Sequence, residues 1–339
     1  MSVKNITMTL DAAHPSLGLD VGHVVSFRDG LPTVQDGVGF YISQLAFLES
    51  TIYESKYATI TYQNMVPINT SVPDTEDQWG YISYDAVTMG KFIGASASDL
   101  PTVAVNANKT MVPLGYAGIS AEYSIDDLRK TQKFKMPIDT IQIKTAFRGS
   151  QEHMQRVAYF GDSDRGMNGL FNNPNLALDN STLNWTTGTG QERVNDMNSM
   201  LVALWVNSAQ THLANTFAID PVRYASLSSR RMDNGTDTTE LEFFIKNNLY
   251  TSLTKLPLDV VPLMQLSAAE LTKNGVSNGG KDRMMAYERN DENLSMVVSI
   301  PFRPLAPQLD GLKIKVPCEY KMSGVEFRFP FSAVYRDHS

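Results

Sequence analysis

The chain has 339 residues, beyond the size one hydrophobic core usually serves, so two or more lobes are expected. Apolar residues make up 42% and charged residues 19%, the mixture of a folded chain rather than a disordered one. Lys and Arg number 29 against 36 Asp and Glu, a net charge of −7. Such a chain gains little from counterion release, which argues against a primary nucleic-acid binder. One cysteine, Cys318, excludes an intramolecular disulfide and a multi-thiolate metal site, and its neighbours Val316, Pro317 and Tyr320 suggest a buried strand thiol. No apolar run reaches signal-peptide length at the start, and none approaches the roughly 18 residues of a membrane span. The expected place of synthesis and folding is the cytoplasm, with no membrane partner.

In chain order, residues 1–37 scatter Gly18, Gly22, Gly30, Pro15 and Pro32 and hold no period, as an extended arm needing a neighbour would. Residues 38–55 carry Phe40, Leu45, Leu48 and Ile52 at helical spacing. Residues 56–68, rich in Thr, Tyr, Val and Ile, predict a strand. Two strand-like runs, 79–93 and 110–125, flank small residues and Pro101 and predict a long β-hairpin. Neither run alternates cleanly, and a lone two-stranded ribbon is marginal in water, so it needs a further surface.

The clearest element follows. Pro137 suits a helix's first position, and Met136, Ile143, Phe147, Met154, Val157 and Ala158, with Ser150 in line, form an apolar stripe to about Phe160. Ile138 and Ile141 fall off that stripe, which suggests a second contact at the helix start. A second helix is predicted over about 190–210, with Thr189 and Glu192 at capping-box spacing and Val194, Met197, Leu201, Leu204 and Trp205 on its apolar side. Then come a strand at 216–219, helices from Pro221 and over 241–246, a strand near 256–266, a Gly- and Asn-rich loop at 267–281, and a strand-rich end.

Catalytic patterns are lacking. His14, His23, His153, His212 and His338 form neither HxxxH nor HExxH, so no zinc ligand set is expected, and His153 reads as a surface or interface histidine. Gly275, Gly280 and Lys281 have phosphate-loop spacing, but Asp282 stands where Ser or Thr must hold Mg²⁺ and would repel phosphate. Gly161-Asp162-Ser163-Asp164 lacks the distal Glu of a calcium loop and reads as a helix stop. No catalytic, cofactor-binding or metal-ligating set is expected.

The order of parts, with Tyr159-Phe160-Gly161-Asp162 closing the long helix, then Gly169-Leu170-Phe171-Asn172-Asn173-Pro174, the run Asp282 to Tyr287 and the ending Gly324 to Pro330, resembles the Hong Kong 97-like major capsid proteins of tailed phages and prophages. The resemblance implies an α+β fold. Its parts would be an N-terminal arm (1–55), a peripheral-domain strand and linker (56–77), and an E-loop hairpin (78–125). A peripheral domain with a spine helix (126–165), an axial domain (166–300) and returning C-terminal strands (301–339) would follow. It implies a shell protein, not an enzyme, that assembles with its own copies into pentamers and hexamers of an icosahedral head in the host bacterial cytoplasm and ends in the virion. Portal, scaffolding or decoration proteins would be its partners. The double-stranded DNA inside would be enclosed without specific binding, and an acidic wall suits that.

The implied contact residues are Lys91, Phe92, Ile93, Asp99, Leu100, Val103 and Lys109 on the hairpin, and Ile138, Ile141, Arg148 and Glu152 on the spine helix. No fused scaffold is expected ahead of residue 38. Nothing marks Lys91 or Lys109 for the crosslink some relatives make, and lysines on a strand edge discourage wrong pairing. An encapsulin-type compartment enclosing a cargo enzyme has the same fold and is the alternative. An enzyme with an unrecognised site in the axial lobe is the reading from another class.

Overall fold

Residues 56–68 have strand-like composition, yet in the computed structural model they give a one-turn helix, α1 (Tyr62–Met65), and a two-residue strand, β1 (Ile68–Asn69). The structure describes residues 58–87, 104–126, 138–232 and 237–338. The arm, with its helical pattern at 38–55, lies outside them. The strand expectation fails because Tyr62 and Met65 are both drawn into the main core beside Met154 and Val157. Burial there outweighs β propensity, which is largely a measure of fit to a sheet.

β2 (Gln78–Val87) and β3 (Ala104–Ser124) form the expected antiparallel hairpin, in register from Gln78↔Pro113 to Val87↔Ala104. From residue 114 onward β3 changes partner and pairs antiparallel with a strand near the end of the chain, from Leu114↔Ser323 to Ser124↔Lys313. One 21-residue strand therefore belongs at one end to a sheet and at the other to a ribbon. Exposure alternates over residues 116–122, because one face of this segment meets the core and the other meets solvent.

The long helix, α2 (Ile138–Phe160), is where expected, and Ser150, Met154, Val157 and Ala158 of the expected stripe are buried, but Phe147 is not. Ala146 is buried with them, whereas Phe147 is 48% exposed and meets Phe302 edge-on at 5.4 Å. The cause is close approach. A Cβ on Gly149 would stand 3.1 Å from Ile119 Cδ1 of β3, so small side chains face the sheet and the bulky ring is moved to the rim.

α2 stops at Gly161, whose φ of +69° is left-handed. The chain then returns along the last turn, Leu170 N donating to Ala158 O (2.8 Å) and Phe171 N to Tyr159 O (2.9 Å). The Tyr159 and Phe171 rings stack at 4.9 Å. A Cβ on Gly161 would collide with the Met167 carbonyl oxygen. Gly161→Ala is expected to cost at least about 1–3 kcal/mol from backbone strain alone. Urea unfolding of the purified subunit would read it, and an unchanged midpoint would refute the strain argument.

β4 (Ala177–Asn180) leads to α3 (Gly190–Asn207). The capping box is formed: Thr189 N donates to Glu192 Oε2 (2.8 Å), and Glu192 N to Thr189 Oγ1 (3.3 Å). Val194, Met197, Leu201 and Leu204 are buried as expected, and Trp205 is half-buried. β5 (Thr216–Ile219), α4 (Pro221–Ser229), α5 (Glu240–Lys246), α6 (Leu249–Thr254) and β6 (Asp259–Pro262) follow. The stretch expected as loop contains a short helix, α7 (Ala268–Lys273). Its Leu271 is fully buried, and the Ala268 N–H is accepted by Asp282 Oδ1 (2.8 Å), a cap supplied from 14 residues away that no local pattern reveals. The chain ends with β7 (Asp282–Tyr287), β8 (Leu294–Pro304), β9 (Gln308–Asp310), β10 (Lys313–Phe327) and β11 (Ala333–His338).

Two sheets result. The first runs β1-β8-β10-β3-β2, with β9 also on β10, and the second runs β4-β11-β7-β5-β6. α2 packs on β3, β10 and β8 of the first. A second core gathers α3, α4 and α5 against β5, β7 and β11 through Met197, Leu201, Leu227, Phe244, Phe217, Met284 and Val334. Cys318 is buried on β10, and burial raises its thiol pKa.

Candidate assembly surfaces

The hairpin is fastened at its base. Trp79 of β2, Val112 and Leu114 of β3 and Val297 of β8 form a small core of their own. The Arg328 guanidinium lies 5.7 Å from the Trp79 ring and 5.8 Å from the Tyr81 ring, and Tyr81 OH donates to Glu326 Oε1 (3.2 Å). Burial raises the Glu326 carboxyl pKa, with Tyr81 and Arg328 acting against it.

A cross-strand cluster pins the next segment. Tyr116 OH of β3 donates to Glu319 Oε2 of β10 at 2.5 Å, and Arg303 Nε of β8 donates to Oε1 at 2.8 Å. The Tyr116 hydrogen bond, then Arg303, hold the Glu319 carboxyl below its ordinary range, while Tyr116 itself is pushed up by that carboxylate. Lys321 Nζ, buried, reaches Asp77 Oδ1 at 2.9 Å just before β2.

Beyond this base, among the described residues, β2 and β3 pair only with each other. Ile82 is 55% exposed, Tyr84 69% and Met111 46%. The ten residues of β2, base included, span roughly 33 Å at about 3.3 Å each. Large apolar side chains spaced along such a ribbon mark it as a contact surface.

Among the residues singled out from sequence, Lys91, Phe92, Ile93, Asp99, Leu100 and Val103 lie outside the described residues. Lys109 is exposed on β3, paired across the ribbon with Ile82. Ile138 is the first residue of α2, and Ile141, one turn on, is half-buried. Arg148 Nε and Glu152 Oε1 form an i,i+4 ion pair at 2.9 Å on α2's outer side. At its exposure such a pair is worth at most about 0.5 kcal/mol. His153 is exposed, as expected of a surface or interface histidine, with its Nδ1 2.8 Å from Tyr320 OH; desolvation, then Arg156, lowers its pKa. Gly275, Gly279 and Gly280 all have positive φ, and the chain after Lys281 enters strand β7, not the helix a phosphate loop requires.

Sequence reasoning missed the buried charges of the second sheet and of the helices packed on it. Arg283 pairs bidentately with Asp337 (2.6 and 2.9 Å) and donates to Phe171 O (2.7 Å). Arg193 pairs with Glu240 (2.8 and 2.5 Å), and Arg336 reaches Asp196 Oδ1 (2.9 Å) and also Asp179. The available signal was Arg336-Asp337-His338 in a strand whose six residues are all buried, since buried charges require partners. Asp220, Asp282 and His338, far apart in the chain, also converge, each offering one ligand atom within 4.8 Å of the others. Among the described residues no helix is long and apolar enough to cross a membrane.

A family model described as major capsid protein matches residues 89–338. No protein with a curated function matches by sequence. Among solved structures, the capsid of Myoviridae phage XM1 aligns with a TM-score of 0.73 at 12% identity, over 92% of this chain and all of that one. The capsid of a native GTA particle aligns at 0.60 and 11%, over 91% and 100%, and the structure from Mycobacterium phage Ogopogo at 0.58 and 10%, over 88% and 98%. At these identities the likeness establishes the fold, which is the α+β Hong Kong 97-like fold expected from the order of elements. The family match favours the capsid over the compartment reading. The chain belongs to the major capsid protein family, whose members are shell-forming components of the virion.

Proposed function

We propose that this chain is the head-shell subunit of a tailed phage, assembling in the host cytoplasm into pentamers and hexamers around double-stranded DNA, with no catalytic centre of its own. The observation that carries this reading is the division of β3, anchored to β10 at one end and extended with β2 alone at the other. In a lone subunit Ile82, Tyr84 and Met111 would remain in water; a neighbouring subunit would cover them. The outer part of the ribbon, including Lys91, Phe92, Ile93, Asp99, Leu100 and Val103, would lie over a neighbour's spine helix near Ile138, Ile141, Arg148 and Glu152. Head-to-tail contacts of this kind close into rings. Interfaces of on the order of 2,000 Å² yield gross apolar gains of tens of kcal/mol before ordering and docking costs. The net charge of −7 suits a wall that encloses DNA without gripping it, and portal, scaffolding or decoration proteins would complete the head.

Electron microscopy of the purified chain, with light scattering on the same sample, tests this. Closed particles, or rings that close when a scaffold is supplied, are expected. A stable monomer or dimer under every such condition would overturn the proposal.

A further inference from the structure

His338 ends β11 with its side chain fully buried, and neither ring nitrogen has a partner at good hydrogen-bond geometry, the Arg336 backbone being the one polar group that bonds to the ring at all. A neutral imidazole carries one donor and one acceptor, and leaving both poorly met in an interior is unusual enough to require a cause. Two carboxylates face the same place. Asp220 caps α4, its Oδ2 accepting from Val222 N (3.0 Å) and Arg223 N (3.1 Å), while its buried Oδ1 has no hydrogen bond. Asp282 is the register partner of His338 on β7. The three groups come from the β5–α4 turn, β7 and β11, and the sheet order β11-β7-β5 is what gathers them.

We propose that Asp220, Asp282 and His338 bind a divalent cation of the zinc class. One imidazole nitrogen and two carboxylate oxygens, with a water as the fourth ligand, are a donor set that zinc accepts. Metal–ligand bonds of about 2.0–2.2 Å require the three atoms to draw together from their 4.8 Å envelope by roughly an ångström. Burial, then the charge of Arg223, hold the His338 pKa down to about 4, so at neutral pH its lone pair is free without displacing a proton. The Trp185 ring, 5.1 Å from the His338 ring, closes one side against water.

Arg223 is the competitor. Its Nη2 pairs with Asp282 Oδ2 at 3.1 Å, and its Nε stands 3.7 Å from Asp220 Oδ1 without a hydrogen bond. A cation entering between the carboxylates takes over its role, and the guanidinium, already 5.7 Å from the Trp185 ring centre, moves onto that face. Occupation would tie the C-terminal strand to the start of α4.

The test is calorimetric titration of the full chain, stripped with chelator, with Zn²⁺. About one Zn²⁺ per chain is expected, with Mg²⁺ failing to compete because imidazole suits it poorly. Asp220→Asn keeps a good helix cap and isolates the ligand role. It and His338→Gln are each expected to weaken Zn²⁺ binding by at least about tenfold. Circular dichroism on both variants identifies any that does not fold, and Asp220→Asn alone then decides. Absence of stoichiometric Zn²⁺ binding, or unchanged affinity in the folded variants, would show that Arg223 already completes this cluster and overturn the proposal.

Discussion

Replacing residues 88–103 with an Asn-Gly turn is expected to abolish shell assembly while leaving the subunit folded. Val87↔Ala104 is the last pair of the ladder among the described residues, so a two-residue turn can join the two strands there without changing their register. Every anchor described above lies below the cut: the Trp79 cluster, the Tyr116–Glu319–Arg303 cluster and the Lys321–Asp77 pair. Because these anchors remain, stability of the isolated subunit should change by no more than about 0.5 kcal/mol. Assembly responds more strongly. A subunit in a closed shell makes several weak contacts, and each one lost lowers the effective concentration that holds the others. A contact worth about 3 kcal/mol is a factor of over one hundred in each association. Sedimentation and electron microscopy read the shell, and thermal unfolding reads the subunit. Normal shells in normal yield would remove the hairpin from the assembly mechanism.

Arg283→Ala is expected to cost about 3–5 kcal/mol, because Asp337 would remain buried without its partner. The pair sits at 6% and 3% side-chain exposure, so solvent screening offers little relief. Arg283 also fixes the Phe171 carbonyl and lies 4.8 Å from the Tyr335 ring centre, so the loss extends from the second sheet to the turn that follows α2. Asp337→Ala should cost a similar amount, by stranding the guanidinium. Arg283→Met combined with Asp337→Leu should recover much of it, since an apolar pair of similar volume carries no desolvation penalty. Urea unfolding is best read in the hairpin-trimmed background, where assembly does not add apparent stability. Equal losses in the single and double variants would mean that packing, not charge, sets the cost.

Elements whose signals are local were legible in the sequence. The span of α2 followed from Pro137 and Gly161-Asp162, and the capping box of α3 followed from Thr189 and Glu192 three residues apart. β5 and α4 were bounded by Pro221. The hairpin was readable as two β-rich runs around small residues, and the order of these parts was enough to indicate the fold.

Tertiary structure alone decided that α2 buries Ala146 and leaves Phe147 at the rim. The close approach of β3 at Gly149 prefers Ala146 and Ser150 over Phe147, and periodicity in one helix carries no information about its neighbour. It turned 62–65 into a helix, because Tyr62 and Met65 fill the core beside Met154 and Val157. It made α7 where loop residues predominate, because Asp282 caps it from β7. It paired Arg283 with Asp337 and gathered Asp220, Asp282 and His338. The reason is common to all of these. Capping, turn and amphipathic signals act over a few residues and are written where they act. The partner of a buried charge, or the neighbour that admits only a small side chain, is fixed by tertiary packing, which brings together residues 14 to 118 positions apart.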